Sequence, residues 1–242
     1  MEKQIYFNAP IELYQHFIEN TRQCLDNVLD YCIAEFNTES EAEEALSVTI
    51  GNWVKSKMNG MELRKSHYNG TQFSIPPSVL FDYYENHATK KEEQKAMLLG
   101  YLALKSIAGW WKITVTSNRA MFARMAGYPS TKLLPELSAL GAVAKYKSPY
   151  RLARVRADIT DHFRTVNIYS HKGKRGFAVK FCSGNGLDVT TELAVYMEKR
   201  TQRYKDKQRR EQMEEAARRA TQQTQTKKEK NRAYFRSLNL TR

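Results

Sequence analysis

The residues with the clearest chemical capability are three cations in one short loop. Lys172, Lys174 and Arg175 lie between two segments in which apolar and polar side chains alternate. That alternation predicts a β-hairpin, and Gly173 and Gly176 permit a tight turn between its strands. Cations at a hairpin tip can bind phosphate oxygens and release counterions. The alternative is an edge hairpin whose lysines prevent pairing with other strands.

A second set of cations lies on a helix predicted over residues 149–163. One face of this helix repeats large apolar side chains at steps of three and four: Leu152, Val155, Ile159 and Phe163. The opposite face carries Tyr150, Arg151 and Arg154. Arginine can donate two hydrogen bonds to a guanine in the major groove, and a helix N-terminus favours phosphate. The alternative is a solvated face on which Arg154 pairs with Asp158, four residues further along the helix.

The C-terminal segment is a third basic region. Residues 187–234 predict one long helix with almost no large apolar side chain after Lys199, so a stable coiled coil is not expected. We expect partial disorder from about residue 221 onward. The segment is either a solvated helix of mixed charge or a basic arm. In an arm, Lys199, Arg200 and Arg203 would add affinity for nucleic acid that does not depend on sequence.

The net charge of +13 is concentrated in two segments. Residues 145–180 contain 10 Lys/Arg and 2 Asp/Glu, a net charge of +8, and residues 198–242 contain 15 and 6, a net charge of +9. The remainder of the chain therefore carries −4, because 13 − 17 = −4. Segregated positive charge favours a polyanionic partner, with nucleic acid first and an anionic membrane second. The C-terminal segment lacks the apolar face of a membrane-surface helix, so no membrane partner is expected.

Common catalytic and metal-binding patterns are missing from the sequence. There is no GxSxG, no GxxxxGK[ST], no GxGxxG and no cluster of histidine and cysteine at metal-ligand spacing. We therefore predict a protein that is not an enzyme, with no catalytic residue, cofactor, metal or evident small-molecule substrate. The 3 cysteines and the lack of a secretion signal favour a reducing, cytoplasmic location.

Several predicted elements surround the basic segments. Residues 9–36 predict a long amphipathic helix, and a second helix is expected through residue 50. A shorter helix follows Pro76, so residues 1–88 are interpreted as an N-terminal helical region for packing or self-association. Thr89 and Glu92 predict a capping box that starts the next helix. A short strand over residues 112–115, a helix from Asn118 and the 149–163 helix precede the hairpin.

Residues 89–183 resemble the winged helix-turn-helix family. The resemblance is carried by the helices NRAMFARMAGY and PYRLARVRADITDHF and by the hairpin NIYSHKGKRGFAVKF. Pro135 would break a standard recognition helix, so we interpret 130–147 as an irregular insertion or a short helix and 149–163 as the recognition helix. The resemblance implies a helical domain with a two-stranded wing. Together with the helices predicted on either side of it, this gives a mainly α fold with an N-terminal helical layer and a long basic C-terminal helix. Three domains are predicted: 1–88, 89–186 and 187–242.

The resemblance implies a protein that binds double-stranded DNA. The whole chain also resembles a family of uncharacterised bacterial proteins of mobile elements, which implies control of transcription or an accessory role in replication or transfer. A homodimer through residues 9–36 would suit paired half-sites. The alternative is a winged-helix module that binds another protein, in which the cations only maintain solubility. An RNA partner is a variant of the first hypothesis.

Overall fold

The computed structural model of this chain describes residues 7–67, 70–109, 113–163, 165–170, 176–181 and 187–239. The fold is mainly helical with small antiparallel sheets, as expected from the sequence. The chain divides into two compact units, one ending at Leu193 and one beginning at Ala194. Within the described ranges, no helix combines the length and apolar character needed to cross a membrane.

The first half of the larger unit contains two short strands and four helices. They are β1 (Phe7–Pro10), α1 (Thr21–Ile33), α2 (Glu39–Leu46), α3 (Trp53–Ser66), β2 (Gln72–Ile75) and α4 (Pro77–Asn86). β1 and β2 pair antiparallel, with Ala9 opposite Phe73. A 3₁₀ turn over Ile11–Tyr14 follows β1 directly.

The helix predicted over residues 9–36 is wrong in its first half. Pro10 is paired in β1, and His16 has a φ of 56°, which is incompatible with a right-handed helix. Helix α1 begins only at Thr21, whose hydroxyl donates to the Phe17 carbonyl at 2.8 Å. The periodicity was misleading because the apolar side chains between Ile11 and Ile18 are buried although the segment is not an α-helix.

Helices α2 and α3 also differ from the prediction. α2 ends at Leu46 and does not reach residue 50, because Ser47 adopts a left-handed conformation with φ of 52°. α3 was not predicted, because a glycine such as Gly60 normally weakens a helix in its interior. Gly60 instead lies in the middle of α3 at its closest approach to α1. A Cβ added there would lie 1.9 Å from the carbonyl oxygen of Asp30.

The second half of the larger unit surrounds a central helix. Its elements are α5 (Glu92–Ala108), β3 (Thr114–Thr116), α6 (Asn118–Met125), a 3₁₀-helical segment (Leu137–Lys147), α7 (Pro149–His162), β4 (Val166–Ser170) and β5 (Phe177–Phe181). The three strands form one antiparallel sheet in the order β3-β5-β4. α5 packs against both α6 and α7, and it also contacts β2 from the first half. The predicted boundary between residues 88 and 89 remains a prediction.

The start of α5 uses a different cap from the predicted one. The Thr89 hydroxyl donates to the Asn86 carbonyl at 3.0 Å, so it closes the preceding helix α4. The Gln94 side chain accepts from the backbone N–H of Lys91 at 2.8 Å and caps α5. The capping box of Thr89 with Glu92 is therefore wrong by two residues, because α5 begins later than expected.

The segment between α6 and α7 is irregular, as predicted. Ser117 caps α6 by accepting from Ala120 N at 3.2 Å, and Gly141 interrupts the 3₁₀-helical segment with a φ of 59°. α7 begins at Pro149, which confirms the expected start, although the Ser148 side chain makes no capping hydrogen bond. After β5 the chain continues as the long helix α8 (Leu187–Asn239). Disorder beyond about residue 221 remains a prediction.

Candidate nucleic-acid interface

Helix α7 is fixed to the core along one face. The predicted apolar stripe is confirmed, since all of its members are buried: Leu152, Val155, Ile159 and Phe163. Gly100 of α5 allows the two helices to approach closely. A Cβ at this position would lie 2.7 Å from Val155 Cγ1 and 2.8 Å from Ile159 Cδ1. This packing determines which side chains of α7 face the solvent.

The outward face of α7 carries the predicted binding residues. Tyr150 is 80% exposed, and Arg151 and Arg154 are also exposed. Asp158 is half-buried on the same side of the helix. Within the described part of the chain, Arg154 and Asp158 form no ion pair within 4.0 Å. The alternative interpretation, in which Arg154 pairs with Asp158 on a solvated face, therefore does not describe this helix.

A concave surface of about 370 Å³ lies beside these arginines. Its charged lining consists of Lys145, Arg151, Arg154, Glu93 and Asp158, which is three cations against two carboxylates. The surface is therefore positive by one charge only. The two carboxylates reduce the attraction for a polyanion, so any phosphate contact depends on the arginines reaching outward past them.

The wall of this concavity is held by one carboxylate of α5. Glu92 forms an ion pair with Lys145 and accepts a hydrogen bond from the Tyr146 hydroxyl at 3.1 Å. Burial and the neighbouring carboxylate of Glu92 raise the pKa of Tyr146, so the phenol remains a donor at neutral pH. Since Lys145 is already paired, Arg151 and Arg154 are the cations best placed to meet an external anion.

Two further cations lie on the other side of the α7 N-terminus. Arg119 and Lys147 are exposed at a groove of about 590 Å³ that Pro149 also lines. Sequence reasoning did not single out Arg119, Lys145 or Lys147 as binding residues. The lysines belong to the basic segment that begins at residue 145, and their position directly before Pro149 was the available signal.

A third arginine of α7 has a structural role. Arg156 Nη1 donates to Asn118 Oδ1 at the start of α6, and the guanidinium carbon lies 4.5 Å from the centre of the Phe177 ring. Partial burial lowers the pKa of Arg156, yet arginine remains charged at any physiological pH. Arg156 thereby joins α7 to α6 and to the beginning of β5, and it does not belong to the exposed cationic face.

The predicted hairpin strands pair antiparallel. Val166 lies opposite Phe181, Ile168 opposite Val179, and Ser170 opposite Phe177. Opposed residues of an antiparallel pair share one face of the sheet, so these six side chains lie on the same face. The predicted tip residues Lys172, Lys174 and Arg175 lie outside the described residues.

The C-terminal unit, taken by itself, presents a cationic stripe. Lys199, Arg200 and Arg203 are exposed, as expected for an arm. Lys207 and Arg210 fall on the same side, so these five side chains occupy a sector of about 100° around α8. Lys207 also pairs with Glu211 at 3.7 Å. Helical periodicity alone is sufficient to identify this stripe, but only its first three members were predicted as binding residues.

No protein-family model, curated protein or solved structure matches this chain. The assignment of a function to these residues therefore depends on their charge, their exposure and the elements that hold them.

Proposed function

We propose that this protein binds double-stranded DNA through a winged-helix arrangement in which α7 enters the major groove. The observation that carries the proposal is the exposure of Arg151 and Arg154 on the outer face of a helix whose inner face is fixed in the core. Both arginines lie in the first half of α7, which is the part of a recognition helix that meets base edges. Tyr150 precedes them and can contact the phosphate backbone.

The order of elements supports this proposal. Helix α5, strand β3, helices α6 and α7, and the β4–β5 hairpin follow one another as in the winged helix-turn-helix family. The sheet order β3-β5-β4 also agrees with that family, because the first strand pairs with the last. The hairpin starts four residues after α7 ends, so Lys172, Lys174 and Arg175 would follow the phosphate backbone beside the groove.

The C-terminal arm would contribute affinity without sequence preference. Lys199, Arg200 and Arg203 belong to a cationic stripe along α8, and each phosphate that they neutralise would release counterions. A protein with a reading helix and such an arm suits control of transcription, or an accessory role in the replication or transfer of a mobile element.

The proposal is tested by fluorescence anisotropy with a random-sequence duplex of about 30 base pairs at low salt. We expect binding in the micromolar range and a loss of roughly tenfold or more in the Arg151→Ala/Arg154→Ala variant. An RNA duplex of the same length serves as competitor, and it should compete poorly. Equal binding by the variant and the wild type would refute the role of α7.

A protein partner is the second candidate function. The observation that favours it is the apolar part of the groove that Arg119 and Lys147 also line, where Leu137 is exposed beside Phe122 and Leu134. Exposed leucines of this kind often mark a surface for protein association. If the wild-type chain fails to bind duplex DNA even at low salt, this groove becomes the leading functional surface.

A further inference from the structure

We propose that α3 binds a second copy of this chain through Val54, Met58 and Met61, with the two α3 helices antiparallel about a two-fold axis near Met58. These side chains are 65%, 62% and 49% exposed, respectively. Their spacing of four and three residues places them in one stripe along the helix. This proposal goes beyond DNA binding and does not depend on it.

The inner face of α3 combines the partly buried apolar side chains of Trp53 and Leu63 with polar contacts to α1. Lys57 Nζ donates to the carbonyls of Ala34 and Phe36, beyond the end of α1. Arg64 Nε donates to the Tyr31 carbonyl at 2.9 Å, and its guanidinium lies 4.4 Å from the centre of the Tyr31 ring. Lys57 and Arg64 thus occupy part of the inward face of α3, while three large apolar side chains point outward, which is unusual for a surface helix.

The close packing of α3 against α1 fixes the orientation of this outward stripe. Asn59 Nδ2 donates to Asp30 Oδ2 at 3.1 Å, and Gly60 leaves no room for a side chain against the Asp30 carbonyl. α3 cannot rotate its apolar residues inward without losing these contacts. The three apolar side chains are aligned and exposed to water on a helix that cannot turn. Association through them would remove apolar surface from water, which is favourable.

The charges beside the stripe identify a second copy as the partner. Lys55 and Glu62 lie on the same side of the stripe, seven residues apart, and both are exposed. Neither side chain forms an ion pair within the described part of the chain. A two-fold axis near Met58 brings Lys55 of each copy to nearly the same height as Glu62 of the other copy. Two ion pairs therefore form symmetrically at one edge of the contact.

The apolar residues satisfy the same symmetry. Met58 meets Met58 at the axis, and Val54 of one copy lies near Met61 of the other. A parallel arrangement would instead bring Lys55 toward the edge of the second helix that carries Lys57 and Arg64, where like charges repel. The antiparallel pairing is thus favoured by both packing and charge.

This surface replaces the one expected from the sequence. A homodimer through residues 9–36 was considered because it would suit paired half-sites. Helix α1 uses its apolar side chains for the core of its own chain: Cys24, Leu25, Val28, Leu29, Cys32 and Ile33 are all buried. A contact between single helices is smaller than a standard interface of about 800 Å² per partner. We therefore expect a dissociation constant on the order of micromolar or weaker.

Sedimentation velocity of the full chain, over concentrations from about 1 to 200 µM, tests the proposal. We expect a monomer–dimer equilibrium in the wild type and a monomer at all concentrations for Met58→Glu. Ser66→Glu is the matched control, because it places a carboxylate at an exposed position of α3 outside the stripe. At concentrations where the wild type is monomeric, the unfolding midpoint of Met58→Glu should equal that of the wild type, because the side chain is exposed.

A charge exchange tests the antiparallel orientation. Lys55→Glu should weaken the dimer several-fold by opposing two pairs of carboxylates, and adding Glu62→Lys should restore it. A wild-type chain that is monomeric throughout would overturn the proposal, as would a dimer that Met58→Glu leaves intact. A double variant as weak as Lys55→Glu alone would refute the antiparallel pairing.

Discussion

The guanidinium carbon of Arg156 lies 4.5 Å from the centre of the Phe177 ring, and this contact joins the proposed recognition helix to the hairpin that follows it. Phe177 is buried at the beginning of β5, and Arg156 lies between the exposed and buried faces of α7. Arg154, only two residues away, is exposed on the proposed binding face. One helix thus uses neighbouring arginines for two different purposes.

Replacing these two arginines should separate stability from binding. Arg156→Ala removes a cation–π contact and a hydrogen bond to Asn118, so we expect the free energy of unfolding to fall by about 2 kcal/mol. Arg154→Ala should change it by less than about 0.5 kcal/mol, as usual for an exposed side chain. Urea denaturation measures both values. Similar losses for the two variants would contradict the structural role of Arg156.

Gly100 should tolerate no side chain. A mid-helix Gly→Ala substitution normally stabilises a helix by up to about 1 kcal/mol. Here the new methyl group would collide with Val155 and Ile159, so Gly100→Ala should lower the free energy of unfolding by about 1–3 kcal/mol. Gly51→Ala is the control, because nothing lies within 4 Å of its added Cβ. A stabilised Gly100→Ala protein would show that α5 and α7 are less closely packed.

Buried thiols should make the fold sensitive to alkaline pH. Burial is the main cause that raises the pKa of Cys32 from 9.0 to about 12. Because the folded state holds this proton more tightly than the unfolded state, its stabilising contribution is complete below pH 9 and is lost as the pH rises toward 12. The slope contributed by one thiol is at most about 1.4 kcal/mol per pH unit.

A Cys32→Ala variant tests this dependence. Denaturant unfolding between about pH 8 and pH 10.5 should show a shallower decline for the variant than for the wild type. Cys24 retains part of the decline in both proteins, because burial also raises the pKa of Cys24, to about 11. Identical slopes for the two proteins would mean that Cys32 is not buried as a neutral thiol.

The cations of the α8 stripe should contribute more to duplex binding than cations elsewhere on α8, because they lie on one side of the helix. Arg203→Gln/Arg210→Gln removes two cations from the stripe, and Lys205→Gln/Arg209→Gln removes two from outside it. We expect the first pair to weaken duplex binding several-fold and to make its salt dependence shallower by about 1.8. The second pair should have a smaller effect. Equal effects would indicate diffuse attraction without a defined face.

The sequence predicted the second half of the larger unit better than the first. The apolar stripe from Leu152 to Phe163 has a regular helical period, and Pro149 marks a helix start. Both signals therefore predict the same helix, α7. Residues 9–36 form the end of a strand, a 3₁₀ turn and an α-helix, and nearly all of their apolar side chains are buried. The spacing of apolar residues therefore does not show where the α-helix begins. His16 with its left-handed φ carries no local sequence signal that would have ended a helix there.

The residues of the proposed site that lie on α7 were predicted because the helical period of α7 is regular. Helical spacing was sufficient to place Tyr150, Arg151 and Arg154 on the outer face. Arg119 comes near the α7 N-terminus only through tertiary packing, since about thirty residues separate it from Pro149 along the chain. The outward apolar stripe of α3 was not predicted, because Lys57 and Arg64, which sequence reasoning assigns to the surface, make part of the inward contacts.

The most direct test of DNA binding through α7 is the salt dependence of duplex affinity, measured by anisotropy for the wild type and the Arg151→Ala/Arg154→Ala variant. Each phosphate contact contributes about 0.9 to the slope of log affinity against log salt concentration. We predict a weaker affinity for the variant, with a slope shallower by about 1.8 if both arginines meet phosphates, by about 0.9 if one reads a base, and unchanged if both read bases. A Lys65→Ala control on α3 should keep both the wild-type affinity and the wild-type slope. A variant with the wild-type affinity and the wild-type slope would contradict the account.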